Sequence, residues 1–164
     1  MSKESYKKTA EYINGNAKLK KFVVFLEKYS PHAIEVIFYS LTAILALKRD
    51  KRVFAVGAVP WLVFMAATVI SRGLNFKRPF EELGFKSVVP HSKGHSCPSR
   101  HATSSWVITM AAAYISPLLG AVSAFFASVV CVTRVITGVH YIRDVVCGIL
   151  FGGGIGYLMF FMVL

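Results

Sequence analysis

From about residue 33 to the C-terminus the chain alternates between long apolar runs and short polar ones. The runs fall at about Ala33–Leu47, Val53–Ile70, Ala102–Ile115, Leu118–Ile136 and Val145–Leu164. A helix needs about 20 residues to cross the hydrocarbon core of a bilayer. The second, fourth and fifth runs predict such spans directly, and the first needs its flanks to reach the length. The third is short and ends near Pro117, but between crossing neighbours only a helix satisfies its backbone. Residues 1–30 are different. Leu19, Phe22, Val23 and Leu26 recur at helical spacing among Lys18, Lys20, Lys21 and Lys28, with a break near Asn14-Gly15-Asn16. That pattern predicts an amphipathic helix, or two short ones, lying in the membrane interface. A solvated helix packed on its own domain fits the same pattern. The expected architecture is all-α: a single domain, 1–164, with an interfacial N-terminal helix over 1–30 and a bundle of about five membrane spans over 31–164.

Composition agrees. The chain is 55% hydrophobic, too apolar for an ordinary soluble domain of 164 residues. The first 30 residues are polar and Lys-rich, which does not fit a cleavable signal peptide. A net charge of +11 suggests nucleic acid in a soluble protein. Here the basic residues sit between apolar runs, so anionic headgroups and topology control are the expected partners, not nucleic acid. Lys48-Arg49-Asp50-Lys51-Arg52 is a compact basic loop and is expected to be cytoplasmic. Counting spans from it places residues 72–101 and 137–144 outside, and the Ser116–Gly120 turn inside. The N-terminus then also falls outside. Cys97, Cys131 and Cys147 show no spacing that predicts a disulfide framework.

Three polar clusters interrupt the apolar sequence, and all three fall on the expected outer face. Arg72 to Pro79 reads Arg-Gly-Leu-Asn-Phe-Lys-Arg-Pro, and Cys97 to His101 reads Cys-Pro-Ser-Arg-His. Thr133-Arg134 is followed by His140 and Asp144, the last being the only acidic residue after Glu82. Charged groups in such sequence are expensive and point to a functional cavity. His140 and Asp144, four apart, are expected on one helix face, the carboxylate fixing the imidazole tautomer and favouring its charged form. A helix-start ion pair without a catalytic role fits that spacing equally. Ser99 is a candidate N-cap whose helix start faces an anion, with His101 beside it as a proton donor. A surface cap and an exposed His is the plainer reading. Arg72, Arg78, Arg100 and Arg134 are suited to bidentate phosphate contacts. Snorkelling would account for Arg134 alone. His91, His95, Cys97 and His101 carry donor types that hold zinc, although no second ligand cluster supports a metal. Ser92, Lys93, Gly94 and Ser96 read as a flexible, basic loop facing substrate.

These residues resemble the motifs of the type 2 phosphatidic acid phosphatase family, the membrane lipid phosphatases related to vanadium haloperoxidases. The third motif, Ser-Arg, five residues, His, three residues, Asp, is matched by Thr133-Arg134, His140 and Asp144, with Thr for Ser. The second, Pro-Ser-Gly-His, is matched by Pro98-Ser99-Arg100-His101, with Arg100 for Gly. The first, Lys, six residues, Arg-Pro, is matched at Arg78-Pro79. Ser71 holds the formal Lys position, and Arg72 and Lys77 are the candidates for the missing charge. The family usually has six spans, and here the N-terminal helix stands in for the first. The resemblance implies a phosphatase with His140 as nucleophile, Asp144 as its orienting carboxylate and His101 as general acid and then base. Arg134, Arg78, Arg72, Ser99, Arg100 and Lys77 would bind phosphate, and no metal or other cofactor is required. The expected substrate is a lipid monophosphate or diphosphate, of the isoprenyl diphosphate or phosphatidylglycerol phosphate type, at the outer face of a bacterial cell membrane. A phosphotransferase, and a lipid-binding or transport protein that keeps the site without turnover, remain open.

Overall fold

Ser2 starts the first helix, its side chain accepting from the Ser5 backbone N–H at 3.3 Å. This helix, α1 (Lys3–Gly15), buries Tyr6, Ala10 and Ile13 along one face and leaves its lysines outside. It ends where sequence predicts, because Asn16 turns extended and caps the next helix by accepting from Leu19 N–H at 3.0 Å. The computed structural model describes residues 2–163. Over them the chain continues as α2 (Ala17–Leu47), α3 (Arg52–Leu74), a short α4 (Pro79–Glu82), α5 (Arg100–Ile115), α6 (Pro117–Ile136) and α7 (Ile142–Tyr157). A π-helical turn, Leu158–Val163, extends α7.

The amphipathic stretch before residue 30 and the first apolar run are one helix, α2, of 31 residues. At 1.5 Å per residue it is about 46 Å long, well beyond the hydrocarbon core. Pro31 lies inside it and costs one backbone hydrogen bond without ending the helix. The interfacial portion thus continues directly into the membrane.

The chain is an all-α integral membrane bundle. Its segments α2, α3, α6 and α7 with its extension are long and apolar enough to cross a bilayer. The sixteen-residue α5 is shorter and lies among them, packed on α2, α3, α6 and α7. Its interior contacts use small residues, as membrane helices must when lipid is as apolar as their own side chains. Gly148, Gly152 and Gly156 of α7 abut α5, and a Cβ at Gly152 would lie 2.1 Å from the Thr103 carbonyl oxygen. Thr109 and Ser123 hydroxyls join α5 to α6 at 2.9 Å. The large apolar side chains point outward instead: Leu47, Phe54 and Leu118 are each more than 70% exposed, a surface that only lipid would cover.

The connections alternate between the two ends of the bundle. The basic loop at 48–51 and the turn at Ser116 lie at one end. The long 75–99 segment and the 137–141 turn lie at the other. There α1 packs on the loops as well: Tyr6 and Tyr141 meet edge to face at 5.2 Å, and Tyr6 Oη accepts from Ile142 N–H at 3.0 Å.

Candidate active site

The 137–141 turn and the start of α7 place the central imidazole. Gly138, at φ +77°, makes the turn under Phe85, whose ring leaves no room for a Cβ. His140 therefore stands before α7, not on it. Asp144 is in the helix's first turn and accepts from Tyr141 N–H at 3.0 Å. The expected shared helix face is thus replaced by a helix-capping turn, which still brings Asp144 Oδ2 to 3.8 Å from His140 Nδ1. Ser96 fills the gap. Its hydroxyl donates to Asp144 Oδ2 at 2.5 Å and lies 3.4 Å from His140 Nδ1.

The other ring nitrogen, Nε2, is 3.0 Å from Arg78 Nη1. A guanidinium only donates, so Nε2 accepts and the proton sits on Nδ1, towards Asp144 and Ser96. This is the neutral tautomer. Burial pushes the His140 pKa down, against the pull of Asp144, and the Arg78 and Arg134 charges add to the effect. The carboxylate does not win, contrary to the expected imidazolium.

Arg78 is 1% exposed and is held from three sides. Its Nε donates to the Gly94 carbonyl at 2.9 Å, Nη1 to Val139 O at 2.9 Å, and Nη2 to His95 O at 3.4 Å. Gly94 is itself fixed through its N–H, which donates to Glu81 Oε2 at 2.9 Å. The segment expected to be a flexible loop is therefore part of the scaffold, and Ser96 is fully buried.

The second cluster joins the third through the backbone: Ser99 N–H donates to the Asp144 carbonyl at 2.9 Å. Ser99 also caps α5, as its sequence position suggests, accepting from Ala102 N–H at 3.5 Å. That sets Arg100 and His101 in the first turn of α5. Arg134, in the last turn of α6, does not snorkel. It is buried, and its Nη1 donates to Glu27 Oε1 at 2.9 Å. His91 stands 6.3 Å from His140, ring centre to ring centre.

The sequence-derived candidates thus separate into two groups. His140, Asp144, Arg78, Ser99 and Arg134 are buried together at one end of the bundle, with His101 and Arg100 half-buried at the edge. Arg72 and Lys77 are exposed and form no hydrogen bond with the cluster. The formal Lys position, Ser71, is buried, and its hydroxyl donates to the His95 carbonyl at 2.8 Å. The zinc alternative at His91, His95, Cys97 and His101 is not assembled: among the described residues no three such side chains converge. Ser96 and Glu27 were not anticipated. Glu27 had a signal, being one of only two acids on a long apolar helix. Ser96 had none, because its role comes entirely from packing.

An apolar cavity of about 580 Å³ opens between α2, α3 and α5 and reaches this cluster. Ile34, Phe38, Trp61 and Ile108 form its walls, and His101 and Ser104 its polar end. A smaller pocket of about 260 Å³ continues from it past Glu35, Arg100 and His101. The groove lies further along α2 than Phe22 and Leu26 of the amphipathic stretch.

Comparison with known proteins agrees with this geometry. The PAP2 superfamily matches residues 68–164, which hold all three clusters. The fold is similar to that of LpxE from Aquifex aeolicus, with a TM-score of 0.66 at 19% identity, over 94% of this chain and 92% of that one. It is also similar to a PAP2-type phosphatidylglycerolphosphate phosphatase from Bacillus subtilis, with a TM-score of 0.67 at 18% identity, over 95% and 81%. No curated protein matches the chain by sequence.

Proposed function

The chain belongs to the PAP2 superfamily, and we propose that it is a membrane phosphatase that hydrolyses lipid monophosphates or diphosphates through a phosphohistidine at His140. The observation that carries this reading is the apolar groove that ends at His101, beside a neutral imidazole lined by buried guanidiniums. A lipid chain in that groove presents its phosphate to His140 and its leaving oxygen to His101.

The first step forms a bond between His140 Nε2 and phosphorus and breaks the bond from phosphorus to the departing oxygen. The anionic phosphate of the bound lipid offsets the guanidinium charges around His101, so His101 takes up a proton with the substrate and supplies it, as general acid, to this oxygen. The Arg78 Nη1 donor that covers Nε2 in the free enzyme passes to the phosphoryl oxygens while the contacts to the Gly94, Val139 and His95 carbonyls hold the guanidinium in place, and Arg134 joins it. Preorganised donors of this kind stabilise the charge that develops in the transition state. The phosphorylated imidazole is cationic and is balanced by Asp144, which Ser96 and Tyr141 N–H hold in place. In the second step His101, now neutral, takes a proton from water. The water oxygen attacks phosphorus, the P–N bond breaks, and inorganic phosphate leaves. The leaving group of the first step is an alcohol for a monophosphate and a lipid monophosphate for a diphosphate, with isoprenyl diphosphates and phosphatidylglycerol phosphate as the candidate classes. No step requires a metal.

The site lies at the end of the bundle opposite the basic 48–51 loop. With that loop cytoplasmic, it opens at the outer leaflet of a bacterial cell membrane. A lipid gains about 0.8 kcal/mol for each CH₂ removed from water, whereas a soluble ester relies on phosphate contacts alone. The expected result is a kcat/KM that rises with acyl or prenyl chain length at fixed headgroup. Equal values for a short soluble ester and a long-chain lipid would contradict the reading.

A further inference from the structure

Glu27 presents a puzzle for an anion site: a carboxylate is already bound to one of its guanidiniums. The pair is deep, with side chains 5% and 15% exposed for Arg134 and Glu27. Glu27 comes from α2, which carries none of the three motif clusters. Two further observations explain the contact. Arg134 Nε is buried and has no hydrogen-bond partner among the described residues. The Arg134 carbonyl also accepts from His140 N–H at 3.1 Å, so Arg134 stands directly beside the nucleophile. A guanidinium is a planar fork of five donors. Holding one terminal nitrogen therefore fixes the direction of the rest.

We propose that Glu27 is a positioning residue, which clamps Arg134 through Nη1 so that its unpartnered Nε side stays directed at the phosphoryl group on His140. The inference rests on the phosphatase reading for its substrate but not for its geometry. It also ties the phosphate end of the site to the lipid end. Glu27, Pro31, Ile34 and Phe38 recur at spacings of four, three and four, so they share one face of α2. The last three line the apolar groove. One helix face thus seats the chain and aims the guanidinium.

The test is binding of orthovanadate to the detergent-purified protein, measured by calorimetry, alongside KM and kcat on a long-chain lipid phosphate. Glu27→Gln keeps an oxygen that accepts from Nη1 and is expected to stay within about threefold of wild type. Glu27→Ala frees the side chain and is expected to weaken orthovanadate on the order of tenfold, with a matching rise in KM, as misplaced groups do. Should Glu27→Ala not accumulate, Glu27→Asp withdraws the clamp by one CH₂ and carries the same expectation. Unchanged or tighter orthovanadate binding by Glu27→Ala overturns the proposal, because Glu27 would then be a filler or a competitor. Equal weakening by Gln and Ala overturns it too. A wild-type protein that binds orthovanadate but releases no phosphate from lipid overturns the phosphatase reading and leaves the clamp to be judged on binding. One that binds no orthovanadate overturns both.

Discussion

His140 is built to be neutral. Its Nδ1–H faces Ser96 and Asp144, Arg78 covers Nε2, and burial lowers its pKa. The sign for activity follows: the nucleophile stays unprotonated through neutral pH, and its loss to protonation falls below the ordinary histidine value. Ser96→Ala removes the hydroxyl between imidazole and carboxylate while leaving both in place. Its expected effect is a fall in kcat of roughly 10–100-fold with little change in KM, since orientation of the nucleophile is lost and ground-state binding is not. Steady-state kinetics on one lipid phosphate checks this. His91 offers a stability test. Burial, with Arg78 nearby, lowers its pKa from 6.5 to about 4. The unfolded chain takes up the proton first as pH falls, so stability present above about 6.5 is lost between there and about 4. His91→Gln is expected to flatten the Tm-against-pH curve across that window. A curve that stays equally steep would assign the acid sensitivity elsewhere. At this scale the motif residues were legible, because Arg134, His140 and Asp144 are fixed by short spacing. Ser96 meets Asp144 across 48 positions, and Glu27 meets Arg134 across 107. No local pattern announces such contacts. The missing first-motif Lys is the reverse case. Arg72 and Lys77 are near it in sequence, but the end of α3 turns them outward.

Among the elements, α2 adds to the site what the motifs do not, Glu27 and one wall of the apolar groove. On sequence it reads as two pieces because its composition changes near residue 30. The helix continues because a proline forfeits one backbone bond, and the surrounding packing outweighs that loss. Its groove can be tested without touching a polar residue. Gly57 lines the cavity, and a Cβ there meets nothing within 4 Å. Gly57→Phe is therefore expected to fold and to fill the groove. It should lower kcat/KM for a long-chain lipid by about tenfold or more, the equivalent of a few excluded CH₂ groups, and leave a short-chain ester nearly unaffected. Parallel loss on both substrates would place the chain elsewhere. The α5–α7 contact gives a second test. Gly152→Ala drives a methyl into the Thr103 backbone, while Gly154 faces open space. Overpacking of this kind costs about 1–3 kcal/mol. Thermal unfolding in detergent should show a lowered Tm for Gly152→Ala and none for Gly154→Ala. The glycines were visible in the sequence, but only the packing of α7 on α5 shows which of them matter.

For the whole molecule, alternating hydropathy was enough to give the bundle, its direction changes and the convergence of three polar clusters at one end. The placement of that end relative to the membrane rests on the basic loop at 48–51. In a chain freed of native cysteines, Asp50→Cys should be shielded from an impermeant thiol reagent in intact cells, and Ser92→Cys should be labelled. The opposite pattern would move the site to the inner leaflet without altering its chemistry. Turnover of lipid phosphates at His140 is the proposal on which the rest depends. The most direct measurement is inorganic phosphate release by the purified protein in detergent from long-chain isoprenyl diphosphate and phosphatidylglycerol phosphate, with wild type and His140→Ala side by side. Wild type is expected to release phosphate from at least one of them, with a loss of about 10³-fold or more in the variant, in line with removal of a nucleophile. Substantial release by His140→Ala, or none by wild type on either lipid, would contradict the proposal.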